Sequence, residues 1–504
     1  MRLKMIKILV FVSLLPFIST LPQRLYESIF YPDNYYESQY FGYYIIMTDS
    51  IIFISAIQDD SLGNASGSVY FYRKDGNSWT FIKKILASDG GNMHMFGVPY
   101  LSSNFFYVGA IGYRSCVYVF EYLDNDWVEI QKLLPDTPLF YNFGRSIKEF
   151  NNELFVGAIS DSRFVESSGA VYVFKKNTNG YWEKFQKIYP RIMKQYAHFG
   201  HQIEVNTLHN HLIVSAPSDS NEVGRFAGNV YILKKSDSLW QNIQILSPDV
   251  GEPSPYFGGS LATKGDYLFV GAPGDGYTQS GGTVYVYKIK NGLWEFVKKI
   301  NSPINVRRDY FGNSIFIEQD SILIGAPGAP YYGARTSRVY LYYQNEDDFT
   351  LEYIFEPSDT ILRDGFGMGV AINKGVFLIG APYGSKNGLS TGKAYLYSPN
   401  PVSVYDNENL TDNFELYQNY PNPFNPSTKI SWQSPVGGHT TLKVYDILGR
   451  EIATPINEYR DAGKYEINFP DVEAGQALSL QSGVYFYQLR IGNYTETKKM
   501  ILIR

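Results

Sequence analysis

Cysteine is all but absent: Cys116 stands alone in 504 residues, which excludes an internal disulfide framework. Beside the run Val117-Tyr118-Val119-Phe120 it reads as a buried structural thiol, not a nucleophile. Charge is scarce too, at 18% of residues, and the net of −5 leaves no basic stripe for nucleic-acid phosphates. Past residue 20 no apolar run approaches the ~20 residues of a bilayer span, so a membrane-spanning protein is not expected. Catalytic signatures are missing as well. There is no Gly-x-Ser-x-Gly elbow and no His-Glu-x-x-His, and Gly388-Leu389-Ser390-Thr391-Gly392-Lys393 is one residue short of a phosphate-cradling loop.

Aromatic residues are abundant, at 16% with 44 tyrosines, which suits a β protein rather than a disordered one. They recur in a fixed order. Phe-Gly appears at Phe41, Phe96, Phe143, Phe199, Phe257, Phe311 and Phe366. Each is followed by a small-residue triplet: Ser55-Ala56-Ile57, Gly109-Ala110-Ile111, Gly157-Ala158-Ile159, Ser215-Ala216-Pro217, Gly271-Ala272-Pro273, Gly325-Ala326-Pro327 or Gly380-Ala381-Pro382. A Val-Tyr or Ala-Tyr strand then follows, and in most copies a Trp opens a last amphipathic run. Seven copies of a four-strand unit predict an all-β fold whose main part is a seven-bladed β-propeller. Gly after Phe lets the chain enter the crowded innermost strand, and the triplet puts small side chains where neighbouring blades approach.

The two ends of the repeat region complement each other. Residues 25–42 look like the end of a copy, while the seventh copy lacks its fourth strand after Ala394-Tyr395-Leu396-Tyr397. Residues 25–30 are therefore expected to supply that strand and close the ring, hiding two sheet edges. Ahead of them, residues 1–20 read as a secretory signal, with Arg2, Lys4 and Lys7 before the apolar run 8–18. The domain reading is signal 1–20, propeller 22–400, a Pro- and Asn-rich linker 401–413 and a C-terminal module 414–504. About seven short alternating strands in that module predict a small immunoglobulin-like β-sandwich.

Residues 24–400, on their seven registered repeats, resemble the FG-GAP repeat proteins typified by the integrin α-subunit propeller. The C-terminal module resembles the type A sorting domain of the bacterial type IX secretion system. The residues that carry this likeness are Asn419-Tyr420-Pro421-Asn422-Pro423-Phe424-Asn425-Pro426, residues 443–452 with Gly449, residues 482–489 with Gly483, and the end 497–504 with Lys498 and Lys499. That resemblance implies a cargo crossing the inner membrane by its signal and the outer membrane by this domain. The expected place is the outer cell surface or the medium, and the expected partner is the secretion machinery.

Sites in the ring are less marked. The links between first and second strands carry at most an isolated acid (Asp49, Asp266, Asp320), too few oxygens for integrin-type calcium. His209 and His211 share one strand face, but without a third ligand they read as an exposed turn rather than zinc ligands. No metal or cofactor is expected. The candidate recognition surface lies in the loops at the Phe-Gly end: Tyr35, Tyr36, Asp275, Tyr277, Tyr331 and Tyr332, fit for a protein or glycan ligand. Tyr40, Tyr256 and Tyr310, adjoining Phe-Gly, are expected to pack between blades. Binding without chemistry is the preferred function. A propeller lyase or glycosidase, or a purely structural scaffold, are the alternatives.

Overall fold

The computed structural model describes residues 25–32, 39–124, 126–137, 142–222, 224, 226–248, 256–274, 281–304, 308–328, 337–359, 364–385, 390–400, 403–405, 414–434, 438–460, 463–470, 480–491 and 494–503. The predicted signal, residues 1–20, lies outside them. Every regular element described is a strand.

Residues 26–405 form seven sheets among the described residues. The first holds Phe41–Met47, Ile51–Ala56, Ser68–Asp75 and Ser78–Ile85 in antiparallel order, and the next five repeat that plan. The first strands of the seven sheets touch in sequence, and the last of them, Val370–Asn373, touches Phe41–Met47. The sheets therefore make a closed ring with those strands innermost. The seventh sheet has three strands of its own and takes its fourth from the chain's beginning. Tyr26–Phe30 runs antiparallel to Lys393–Ser398, with Tyr26 opposite Ser398 and Phe30 opposite Ala394. Ser403–Tyr405, within the segment read as linker, lies parallel on the outer edge of the first sheet.

The repeat markers have a common geometry. In all seven copies the residue before Phe-Gly (Tyr40, Met95, Asn142, His198, Tyr256, Tyr310, Gly365) and the glycine after the Phe are left-handed. Only glycine adopts the second of these conformations freely, which is why it is invariant across the copies. This double turn drives the Phe ring into the sheet interface, where it meets the tyrosine of the third strand edge-on. The seven ring pairs lie 4.9–5.4 Å apart with planes crossed at 68–89°. At the seam, a Cβ on Gly392 would stand 2.4 Å from the Phe41 carbonyl oxygen, so this glycine lets the seventh sheet dock on the first.

A serine hydroxyl ties three of the junctions, and the place of the serine explains the two kinds of triplet. In the third, fifth and sixth sheets Ser146, Ser260 and Ser314 donate to the carbonyls of Gly200, Gly312 and Gly367 in the next sheet, each at 2.7 Å. Their triplets begin with glycine because a Cβ on Gly157, Gly271 or Gly325 would collide with that hydroxyl. In the first and fourth sheets the inner strand has Tyr44 or Gln202 instead. There the triplet supplies the serine: Ser55 Oγ accepts from Tyr44 N at 2.8 Å, and Ser215 Oγ from Gln202 N at 3.0 Å. Further out, Gln131, Gln186 and Gln244 each clasp the backbone of the next sheet's Trp182, Trp240 or Trp294 through both amide atoms.

The C-terminal module packs two sheets face to face. Glu415–Leu416, Thr428–Ser434 and Gly463–Phe469 form one; Glu451–Arg460, Gly438–Asp446, Gly483–Ile491 and Tyr494–Leu502 form the other. Between them lies a core that includes Trp432, Leu442, Val444, Tyr487, Met500 and Phe424.

Candidate functional sites

The six loop residues proposed for recognition, Tyr35, Tyr36, Asp275, Tyr277, Tyr331 and Tyr332, lie outside the described residues. Their flanks are described, and the register places those flanks. Ala272 and Ala326 end their strands opposite Thr283 and Arg338, at the end where the inner strands begin. Of the tyrosines expected between sheets, Tyr256 is 38% exposed, a correction, while Tyr40 and Tyr310 are half-buried, Tyr40 against the Tyr383 ring. His211 corrects another reading. It opens a strand and is buried, accepting the Trp294 indole N–H at 3.2 Å, and burial pulls its pKa down to about 4. His209 stays in the turn, 2.7 Å from Asp266. Cys116 is buried as read, and burial pushes its thiol up to about 11.

Three of the buried acids around the ring are engaged by partners. Asp59 pairs with Lys84 at 2.9 Å, Asp161 with Lys187 at 2.6 Å, and Asp219 accepts from Tyr231 at 2.7 Å and Asn229 at 2.8 Å. These pairs tie the loop after the triplet to the third and fourth strands of the same sheet. They are scaffold.

A second cluster sits on the ring axis, formed by residues just after Phe-Gly. Arg145 Nη1 of the third sheet donates to the Tyr44 hydroxyl of the first at 2.6 Å, bypassing the second sheet. Arg145 Nη2 lies 3.5 Å from His201 Nε2 of the fourth sheet. Burial raises the Tyr44 hydroxyl to about 12, and burial with the Arg145 charge holds His201 well below its usual range, so both are neutral at pH 7. Sequence reading missed this trio because its members stand 101 and 56 positions apart; the signal was that Arg145 and His201 stand two residues after their Phe and Tyr44 three.

In the C-terminal module the motif residues lace the terminal strand in place. Phe424 is buried; its N–H donates to the Ile501 carbonyl at 2.8 Å, and its own carbonyl accepts from Ile503 N at 3.1 Å. Asn422 Oδ1 accepts from Ile501 N at 2.9 Å. The Lys499 carbonyl accepts from Gln418 and Asn422, so Lys499 acts here through its backbone, while Lys498 pairs with Glu496 at 3.1 Å. Asn419, buried, ties Pro421 to Thr428, and its backbone N–H donates to the Tyr487 hydroxyl oxygen. Pro421, Pro423, Asn425 and Pro426 are exposed, and Tyr420 is 80% exposed.

Gly449 supplies the left-handed step of a turn built on the Asp446 carboxylate, which accepts from Leu448 N and Arg450 N, each at 2.9 Å. That turn holds Ile447 and Leu448 out at 71% and 73% exposure. Asp446 faces Tyr485, Gly483 faces Leu502, and Phe424 bridges to Leu502. The turn, Gly483, the Pro-rich loop and the C-terminus therefore gather at one end of the sandwich.

Two family models match the chain. Residues 418–503 match the secretion system C-terminal sorting domain, and residues 240–287 and 349–397 match the FG-GAP repeat. None of the curated proteins matches. Among solved structures, a chain of the mitotic checkpoint complex is 11% identical with a TM-score of 0.46, over 81% of this chain and 99% of that one. A candidate 6-phosphogluconolactonase from Bacteroides uniformis is 9% identical with a TM-score of 0.44, over 64% and 85%. A protein from Lactobacillus plantarum is 11% identical with a TM-score of 0.42, over 62% and 84%. Likeness at this level carries no argument about activity.

Proposed function

We propose, for a chain that carries FG-GAP repeats and a C-terminal sorting domain, that it is an exported binding protein. The sorting domain indicates export to the cell surface or the extracellular space. Residues 1–20 take the chain to the periplasm, and an immunoglobulin-like tail hands it to the type IX secretion machinery. The cargo is a seven-bladed, integrin-like propeller that binds a protein or glycan at its loop-bearing end, in adhesion or recognition. One observation carries the sorting half: the Pro-Asn-Pro-Phe segment and the terminal strand form a single laced end beside the exposed Ile447-Leu448 turn. Binding is favoured over catalysis because general acid–base work needs a carboxylate within reach of a substrate, whereas Asp59 and Asp161 are paired with Lys84 and Lys187, and Asp364, which keeps an unpartnered oxygen, is wholly buried.

Removing residues 414–504 should leave a folded ring in the periplasm, and removing only the last ten residues should trap it too. Residues 398–504 placed on a signal-bearing reporter should send it outside a host with the machinery. Normal secretion of the truncated ring would overturn the sorting reading. For the ligand, the secreted chain is screened on a glycan array and against surface proteins. Binding undiminished by Tyr331→Ala and Tyr332→Ala together would remove that loop from the site.

A further inference from the structure

We infer that the ring axis, at the level of Arg145, is a binding site for a small carboxylate. The argument begins with charge and is independent of the export reading. A guanidinium is permanently charged and offers five N–H donors in a planar fork. The two side chains it meets here, the Tyr44 hydroxyl and His201 Nε2, are neutral. Among the described residues no carboxylate faces Arg145; the neighbours that act on its charge are Tyr44 and Tyr43. The nearest charges further along these inner strands, Lys148 and Glu204, neutralise each other at 2.9 Å. Among the described residues the axis thus holds one uncompensated positive charge, set in half-buried groups. A shielded charge without a partner is costly, and a matching anion removes that cost.

The donors around it are set for an acceptor. Arg145 can only donate, so His201 Nε2 accepts and the imidazole proton sits on Nδ1, which is buried without a partner. The Tyr44 oxygen likewise accepts from Arg145, leaving its own proton to give. These neutral groups add hydrogen bonds but no charge. One charge in a planar fork matches a carboxylate, which is a planar monoanion that binds both arms of the fork. A phosphate dianion would bring a second charge with nothing to meet it. Tyr44 takes the inner-strand position that a junction serine holds in the third, fifth and sixth sheets, and its backbone N–H donates to Ser55 Oγ.

The test uses the full secreted chain, with acetate and glucuronate as probes and chloride and phosphate as controls at equal ionic strength. Calorimetry and thermal unfolding read binding. Both carboxylates should bind saturably and raise the melting temperature, and the controls should not. Arg145→Gln should weaken carboxylate binding about tenfold or more, and Tyr44→Phe by about threefold or more. Arg145→Lys, which keeps the charge without the fork, should lose most of the preference for carboxylate over chloride. No saturable binding, equal binding of chloride or phosphate, or unchanged affinity in Arg145→Gln overturns the assignment. If Arg145→Gln does not fold, unchanged affinity and selectivity in both Tyr44→Phe and Arg145→Lys does the same.

Discussion

The ring and the tail are each completed by a chain end that reaches a distant strand, but by different means. Tyr26–Phe30 joins the seventh sheet through a regular antiparallel ladder, and Phe30 is the one residue of that strand fully withdrawn from solvent. The terminal strand of the tail has a ladder on one side only. On the other, Asn422 and Gln418 reach its backbone through their side-chain amides, and Phe424 fixes it through two main-chain bonds. A ladder accepts many sequences, whereas amide lacing fixes residue identity. The first kind of closure therefore leaves a vacancy in a repeat, and the second leaves a motif.

Four experiments break or sharpen that contrast. Deleting residues 22–34 removes a strand, bares the edge of Lys393–Ser398 and strips Phe30 from the core. The ring should lose at least ~5 kcal/mol of stability by denaturant unfolding, and an unchanged midpoint would sink the closure account. Phe424→Ala leaves the terminal strand paired on one side but empties its core position; the sandwich should lose about 3–5 kcal/mol, with the ring's own transition unmoved.

Asp364 tests a different property of the ring, its buried polar groups. It is fully buried, one oxygen has no partner, and burial raises its pKa from 3.8 to about 6 against the opposing Phe366 amide. Since the folded value lies above the unfolded one, its contribution is complete below about pH 4 and is lost as pH rises through about 6. Asp364→Asn should therefore raise ring stability at pH 7.5 by about 2–3 kcal/mol, a gain that vanishes below pH 4 in paired melts. The smallest effect is expected for Asn422→Ala, which removes the bond to Ile501 N and should cost the sandwich about 1 kcal/mol. A loss near that of Phe424→Ala would make the amide lacing, not the aromatic plug, the dominant tie.

Much of the architecture was legible because it repeats. Phe-Gly and the third-strand tyrosine occur seven times in register, and their edge-on contact is the same each time. The serine exchange was visible as letters, in Ser55 and Ser215 where other triplets have glycine, but its reason needs the adjoining sheet's carbonyl. Arg145, Tyr44 and His201 could not be paired from sequence, since contact across an axis follows no local period. His211 was misread for a related reason. Position relative to a turn was judged correctly for His209, while burial two residues on depends on Trp294 of the next sheet.

The seam has a consequence for the order of events in folding. Phe199 meets Gly169, and Phe311 meets Gly282, within about thirty residues along the chain. Phe30 meets Ala394 across more than 360. Loop closure over such a span is entropically the costliest in the ring and sets contact order high at that single junction. The first six sheets can form one after another from local hairpins as the chain arrives. The strand Tyr26–Phe30, already made, waits unpaired for the seventh sheet, so the ring is topologically complete only after residue 398 has emerged.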